Sequence, residues 1–325
     1  MKTQKKKSMI WMLLGIAMIS YACSSESVNF DEKIPEPTEP TEKERCYSPV
    51  TYSWPDLDKG DASVWKQYLK SGGLGIVILS HSENDWTDKT RINVYKRAGE
   101  TAKAAGAKKV IYYVSTHNGM AGNPEKWGEG RPDATKWSKE YILEVLDHCK
   151  KNYPIFEGVF LDEFSSCTGS HAERLEWYRD LVTSIKARYG NDFYIVGNPG
   201  TTIADGLLDL PVDTYMTIET TADEYLTSTP KPWYQSTKKM ARQPANRIWH
   251  VVYGIKKEQL KAVYDKAYRM NVGHLYVTDG RLVPGADKFG VPTVSPYKNP
   301  PSDWVVEPMK AWYTGTLDEY WKAHQ

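Results

Sequence analysis

GVFLDEF, Gly158 to Phe164, reads as a short buried β-strand that ends in two adjacent carboxylates. Val159, Phe160 and Leu161 are apolar and strand-forming, which places the segment inside a core. Asp162 and Glu163 come next, with no Lys or Arg in the segment to pair with them. Carboxylates at the edge of a core need a compensating partner or a chemical task.

Similar runs recur along the chain. The strand candidates are Val50 to Trp54, Gly75 to Ser80, Lys109 to Thr116 and Gly158 to Glu163, then Phe193 to Asn198, Thr214 to Glu219, Arg247 to Gly254 and His274 to Gly280. Helical spacing separates most of them, over Arg91 to Ala105, Ser138 to Lys151, Ser170 to Tyr189 and Lys257 to Met270, with Gly106 placed as a C-cap. The connections at Thr202 to Leu208 and Asp223 to Ala245 are vaguer, and Asp303 to Ala323 supplies a last helix. Regular β–α alternation argues for a parallel sheet covered by helices. Eight strands in roughly 280 residues predict an α/β fold of the (β/α)₈ TIM-barrel type, a single domain over residues 46–325 with a C-terminal extension. No Gly-x-Gly-x-x-Gly follows the first strand, which counts against a dinucleotide-binding sheet.

In such a barrel the active site lies at the C-terminal ends of the strands. The residues there are Tyr52 and Trp54, His81, Tyr113, Thr116, Asp162 with Glu163, Asn198, Glu219, Tyr253 and Asp279. Two acids working as acid and nucleophile or base are what glycoside hydrolysis needs. Asp162 and Glu219 end strands two apart, which point side chains into the same barrel layer. Period-two alternation forbids Asp162 and Glu163 from both facing the axis, so one turns to a neighbouring strand or loop. Asp279 also reads as a helix cap or turn residue. The aromatic positions also read as barrel packing.

The series VTYSWP, VIYYVSTHNG, GVFLDEF, VGNPG and TIET resembles the spherulin 4 family of (β/α)₈ proteins, from about Val50 to Asp279. That family is related to glycoside hydrolases that cut α-1,4-linked galactosamine and N-acetylgalactosamine polymers. The resemblance implies Asp162 as nucleophile or transition-state stabiliser, Glu219 as general acid/base and Glu163 as a supporting or substrate-binding acid. Tyr52, Trp54, His81, Tyr113, Thr116, Asn198, Tyr253 and Asp279 are the candidate substrate contacts, and no cofactor is expected. The family often has Asn-Pro and Gly-Pro-Gly after strand two. Here LSHSENDW stands instead, so His81, Ser82 and Trp86 are placed to reset specificity.

Composition narrows the partners. The chain of 325 residues has a formal net charge of +1, too even for the clustered cations that nucleic acid demands. Its 12 Trp and 22 Tyr against 6 Phe suit stacking on sugar rings, or simply a large core. Lys2, Lys5, Lys6 and Lys7 precede an apolar Met9 to Ile19, a signal-peptide pattern over residues 1–22. Ala22-Cys23 resembles a bacterial lipobox, which implies lipidation of Cys23 and a lipid-anchored protein of the cell envelope. An ordinary secretory signal cut near Ala22 is the alternative, and Tyr21 departs from the usual small residue. Residues 23–45, rich in Pro and Glu, read as a disordered tether. Cys46, Cys149 and Cys167 are an odd set without metal-ligand spacing, and the 7 His are scattered, so no metal site is expected.

These readings predict a cell-envelope glycosidase acting on an amino-sugar polymer. A non-catalytic glycan-binding lipoprotein on the same barrel is the competing expectation, and a deacetylase a third. The acid trio favours the first.

Overall fold

The computed structural model describes residues 45–79, 88–119, 137–201, 203–228, 243–283 and 295–324. His81, Ser82, Trp86, Cys23, the predicted signal segment and the predicted tether up to residue 44 lie outside them. Eight parallel strands form one sheet: β1 (Cys46–Tyr47), β2 (Ile76–Leu79), β3 (Lys109–Ser115), β4 (Gly158–Asp162), β5 (Tyr194–Gly197), β6 (Thr214–Thr221), β7 (Ile248–Tyr253) and β8 (His274–Val277). Their order is β1-β8-β7-β6-β5-β4-β3-β2, and a parallel bridge from Tyr47 to Leu74 joins the ends into a barrel.

That seam is unusual. Val50 to Trp54, expected as the first strand, is not one; the strand is the two residues Cys46 and Tyr47. Tyr47 completes a backbone pair with Gly73 and Gly75, and side chains then continue the ladder. The Ile76 amide donates to Ser48 Oγ at 3.1 Å, and the Ile78 amide to Thr51 Oγ1 at 3.1 Å. Thr51 Oγ1 donates back to the Ile78 carbonyl at 2.5 Å. The alternation of VTYSW therefore reflects a hydroxyl standing in for a backbone partner.

Helices cover the outside where apolar faces recur at helical spacing. Lys89–Ala104 starts at Asp88, whose side chain accepts the Thr90 and Arg91 amides. Ser138 caps Lys139–Asn152 in the same way, and Ile142, Val145, Leu146 and Cys149 form its buried face. The span expected as one helix from Ser170 is a 3₁₀ stretch, Gly169–Arg174, followed by Leu175–Tyr189. Its buried face is Tyr178, Leu181, Val182 and Ile185, with Leu175 and Trp177 only partly covered. The last expected helix is two, Asp303–Thr314 and Leu317–Ala323, parted by Gly315 in the left-handed region at φ 75°.

Much of the Trp and Tyr surplus is core. Trp65, Trp249, Trp312, Tyr47, Tyr68, Tyr112 and Tyr153 are among the fully buried side chains. Phe160 on β4 meets Trp249 on β7, three strands away, with ring centroids 5.9 Å apart, so Phe160 points into the barrel. Asp162, two residues on, continues the same face at the C-terminal rim.

Candidate active site

Strand β4 delivers Asp162, and two donors hold it. Tyr113 OH donates to Oδ2 at 2.7 Å, and Asn198 Nδ2 donates to Oδ1 at 2.7 Å. Tyr113 is on β3 and Asn198 directly follows β5, so the strands flanking β4 each contribute one hydrogen bond. Burial is the largest influence on the Asp162 carboxyl, pushing it up to about 6. The Tyr113 donor opposes this, the nearby Glu219 carboxylate adds to it, and the Asn198 donor also opposes it.

Glu219 reaches the same place through a local irregularity. The β6–β7 register shifts between Met216 and Ile218, an extra residue that re-aims the end of β6. The turn Asn198-Pro199-Gly200 is stitched to that shift. The Gly200 amide donates to the Met216 carbonyl, and the Glu219 amide donates to the Gly200 carbonyl, both at 3.1 Å. Gly200 sits at φ 60°, where a side chain would be strained. Its amide also donates to Asn198 Oδ1 at 2.9 Å, which settles which end of the Asn198 amide faces the acids.

Asn198 Nδ2 is thus turned to both carboxylates, 2.7 Å from Asp162 Oδ1 and 3.4 Å from Glu219 Oε2. Those two oxygens can be no further apart than the two distances laid end to end, about 6.1 Å. Two amide hydrogens diverging by about 120° would set the oxygens roughly 5 Å apart.

Glu163 goes elsewhere. Its backbone is left-handed at φ 49°, and Oε2 accepts from Ser115 Oγ at 2.5 Å and lies 2.9 Å from His117 Nδ1. His117 stacks on Trp137 with centroids 3.9 Å apart. The Asp-Glu pair therefore splits, one acid toward the axis and the other against the end of β3.

The remaining predicted contacts divide. Tyr52 lies within the acid cluster, its ring 5.5 Å from Tyr113 and 5.9 Å from Phe160, and burial with the Asp162 and Glu219 charges holds its phenol protonated well above the usual range. Trp54 stands 49% exposed on the rim against Tyr95, and Tyr253 is partly buried beside Tyr297. Thr116 is fully buried, and its hydroxyl donates to the carbonyls of Asp162 (3.1 Å) and Glu163 (2.9 Å). That is a backbone brace for the two acids, not a surface offered to a ligand. Asp279 is corrected similarly: Oδ1 accepts the Ser302 amide at 3.0 Å and Oδ2 the Ser302 hydroxyl at 2.6 Å. Both its oxygens tie β8 to the start of helix Asp303–Thr314. Tyr297 is not among the predicted contacts, yet its hydroxyl donates to Glu219 Oε1 at 2.7 Å. It lies in a Pro- and Gly-rich stretch without periodicity, shared with Phe289 and Trp304, so no pattern singles it out.

Among the described residues, no group of three or more His, Cys, Asp or Glu is placed to hold a metal ion. Cys46, Cys149 and Cys167 are all buried and free, with burial raising each thiol.

The sequence pattern of spherulation-specific family 4 matches residues 65–305, most of the chain. The chain belongs to this family. No curated protein sequence matches it. Among solved structures, Aspergillus clavatus Sph3 in complex with GalNAc is similar at 14% identity and a TM-score of 0.54, covering 83% of this chain and 97% of Sph3. The endo-β-1,4-mannanase of Thermotoga petrophila aligns at 13% identity and a TM-score of 0.52, over 83% of this chain and 77% of the mannanase. Eubacterium rectale Amy13B aligns at 12% and 0.52, over 85% of this chain and 79% of that one. These likenesses establish a shared (β/α)₈ barrel, and family membership fits the acids at its rim.

Proposed function

We propose that this chain is a glycoside hydrolase that cleaves α-linked galactosamine or N-acetylgalactosamine polysaccharide by a two-carboxylate, retaining mechanism. One observation carries the reading: Asn198 Nδ2 reaches both Asp162 and Glu219. Retaining pairs stand roughly 5–5.5 Å apart and inverting pairs roughly 6.5–9.5 Å, and the ceiling on the nearest oxygens favours the closer class.

Asp162 Oδ attacks the anomeric carbon while Glu219 gives its proton to the departing glycosidic oxygen. A glycosyl ester forms on Asp162 as the C–O bond of the leaving sugar breaks. Glu219, now ionised, takes a proton from water, whose oxygen displaces Asp162 and restores both groups. Tyr113 and Asn198 stabilise the Asp162 carboxylate before attack and as it leaves. Glu163, held by Ser115 and His117, supports the site from the end of β3. The family and the GalNAc bound by Sph3 support an amino-sugar substrate.

The experiment is incubation of the purified protein with galactosamine and N-acetylgalactosamine polymers, beside Asp162→Asn and Glu219→Gln. Release of reducing ends by the wild type, lost by several orders of magnitude in both variants without unfolding, is expected. Polymer binding without turnover would favour a glycan-binding protein on the same barrel. Export with a lipid on Cys23 is part of the proposal, supported by the lipobox-like Ala22-Cys23 and the basic and apolar run before it. Metabolic labelling with a fatty acid, abolished in Cys23→Ser, tests it.

A further inference from the structure

One ligand of the acid pair comes from no strand. Tyr297 lies beyond β8, outside every helix and strand of the described residues, yet its hydroxyl donates to Glu219 Oε1 at 2.7 Å. Its ring is 7% exposed and lies edge-on to Tyr52 and Tyr253 at 6.2 and 6.3 Å. The backbone there is pinned on several sides. Tyr68 OH donates to the Tyr297 carbonyl at 2.7 Å, and Ser295 Oγ accepts the Tyr297 amide at 3.1 Å. Gly280 packs so closely that a Cβ on it would stand 2.0 Å from the Pro296 carbonyl oxygen. Asp279 fastens the far end through Ser302. A stretch that merely covered a rim would need none of this.

A carboxyl group that delivers a proton must present one chosen oxygen in a fixed direction. Glu219 Oε1 is occupied by Tyr297, whereas Oε2 lies on the Asp162 side, where among the described residues it meets the longer Asn198 contact. A phenol donates to Oε1 whether or not Oε2 carries the proton, so it serves both halves of the reaction. We propose that Tyr297 is the positioning residue for Glu219, holding Oε1 so that the proton passes through Oε2, and that residues 295–297 are therefore part of the active site. The proposal rests on the glycosidase reading of Glu219. Burial and the Glu219 carboxylate also hold the Tyr297 phenol protonated far above the ordinary tyrosine range, consistent with a permanent donor.

Two measurements test it. The first is NMR of the protein labelled with carbon-13 at the tyrosine ζ position, with Tyr297→Phe identifying the Tyr297 signal. In Glu219→Gln that signal is expected to shift at neutral pH. An unchanged signal would overturn the contact whatever the catalytic outcome. The second is hydrolysis of amino-glycosides with graded leaving groups by Tyr297→Phe, which keeps the ring and whose melting is checked. In kcat/KM, which reports only the step that forms the glycosyl ester, the variant is expected to lose about 10–100-fold on poor leaving groups and no more than about threefold on dinitrophenyl glycosides, which need no acid. Equal losses across the series overturn the positioning role. A wild type that turns over none of them removes the glycosidase reading and with it the proton-transfer half of the proposal, while the NMR result separately decides whether Tyr297 holds Glu219.

Discussion

Asn198 Nδ2 stands 2.7 Å from Asp162 Oδ1, its amide locked in that sense because Oδ1 of Asn198 accepts the Gly200 amide. The donor supports a carboxylate that is otherwise disfavoured by burial. Asn198→Ala should therefore cost about 10²–10³ in kcat, the scale of one lost preorganised donor. It should also move the acidic limb of the rate profile to higher pH, since a donor to the ionised form has gone. A kcat–pH series on the wild type and variant reads both effects. An unmoved acidic limb would detach Asn198 from Asp162.

The acidic limb itself should lie near pH 6, where burial places Asp162. Protonated Asp162 cannot attack, so kcat/KM falls as pH drops through that value. The same shift bears on stability. Its folded value is raised above the ordinary 3.8, so the fold prefers the protonated acid, and that benefit is lost as pH rises toward 6. Asp162→Asn should consequently melt above wild type at pH 8 and level with it near pH 4. Calorimetry at the two pH values decides.

Two buried histidines push the other way. His250 and His274 are held neutral by burial, each lowered from 6.5 to about 3. His250 meets Tyr225 OH at 2.9 Å and His274 meets Ser48 Oγ at 2.8 Å. Stability from both is complete above pH 6.5 and is lost as pH falls toward 3, because the unfolded chain takes up the protons. Two such groups with larger displacements outweigh the single raised Asp162. The melting temperature should fall between pH 6.5 and 4, and His250→Gln should flatten the slope.

Gly158 opens β4 because nothing larger fits. A Cβ there would lie 2.1 Å from the Tyr194 carbonyl oxygen on the neighbouring strand. Backbone cannot yield as a side-chain tip does, so Gly158→Ala should cost about 3 kcal/mol or more. Urea unfolding beside a Gly169→Ala control, whose added Cβ meets nothing within 4 Å but whose φ is 54°, separates crowding from backbone strain.

The barrel was legible because most strands are apolar runs ending in polar residues, and β4 announced itself through Asp162. What could not be read is pairing across distance. VTYSW alternates as a strand does, but the alternation cannot reveal that Thr51 spends its hydroxyl on Ile78. Asp279 looked like a rim acid because its partner, Ser302, is 23 residues further along the sequence. Glu219 was visible at its strand end, yet the register shift that aims it leaves no mark in the pattern Thr214 to Thr221. Tyr297 carried no periodicity at all.

The seam between β1 and β2 has a consequence for mutational tolerance. Elsewhere the barrel is closed by peptide groups, which no substitution short of proline can delete. At this seam the closure is written partly in side chains, in the hydroxyls of Ser48 and Thr51. Ser48→Ala or Thr51→Val removes a single oxygen and leaves a buried amide of β2 unanswered. A change at either position can thus loosen the ring beside Tyr52 and Trp54, so the residues that follow the shortest strand are less free to drift than their place outside any strand suggests.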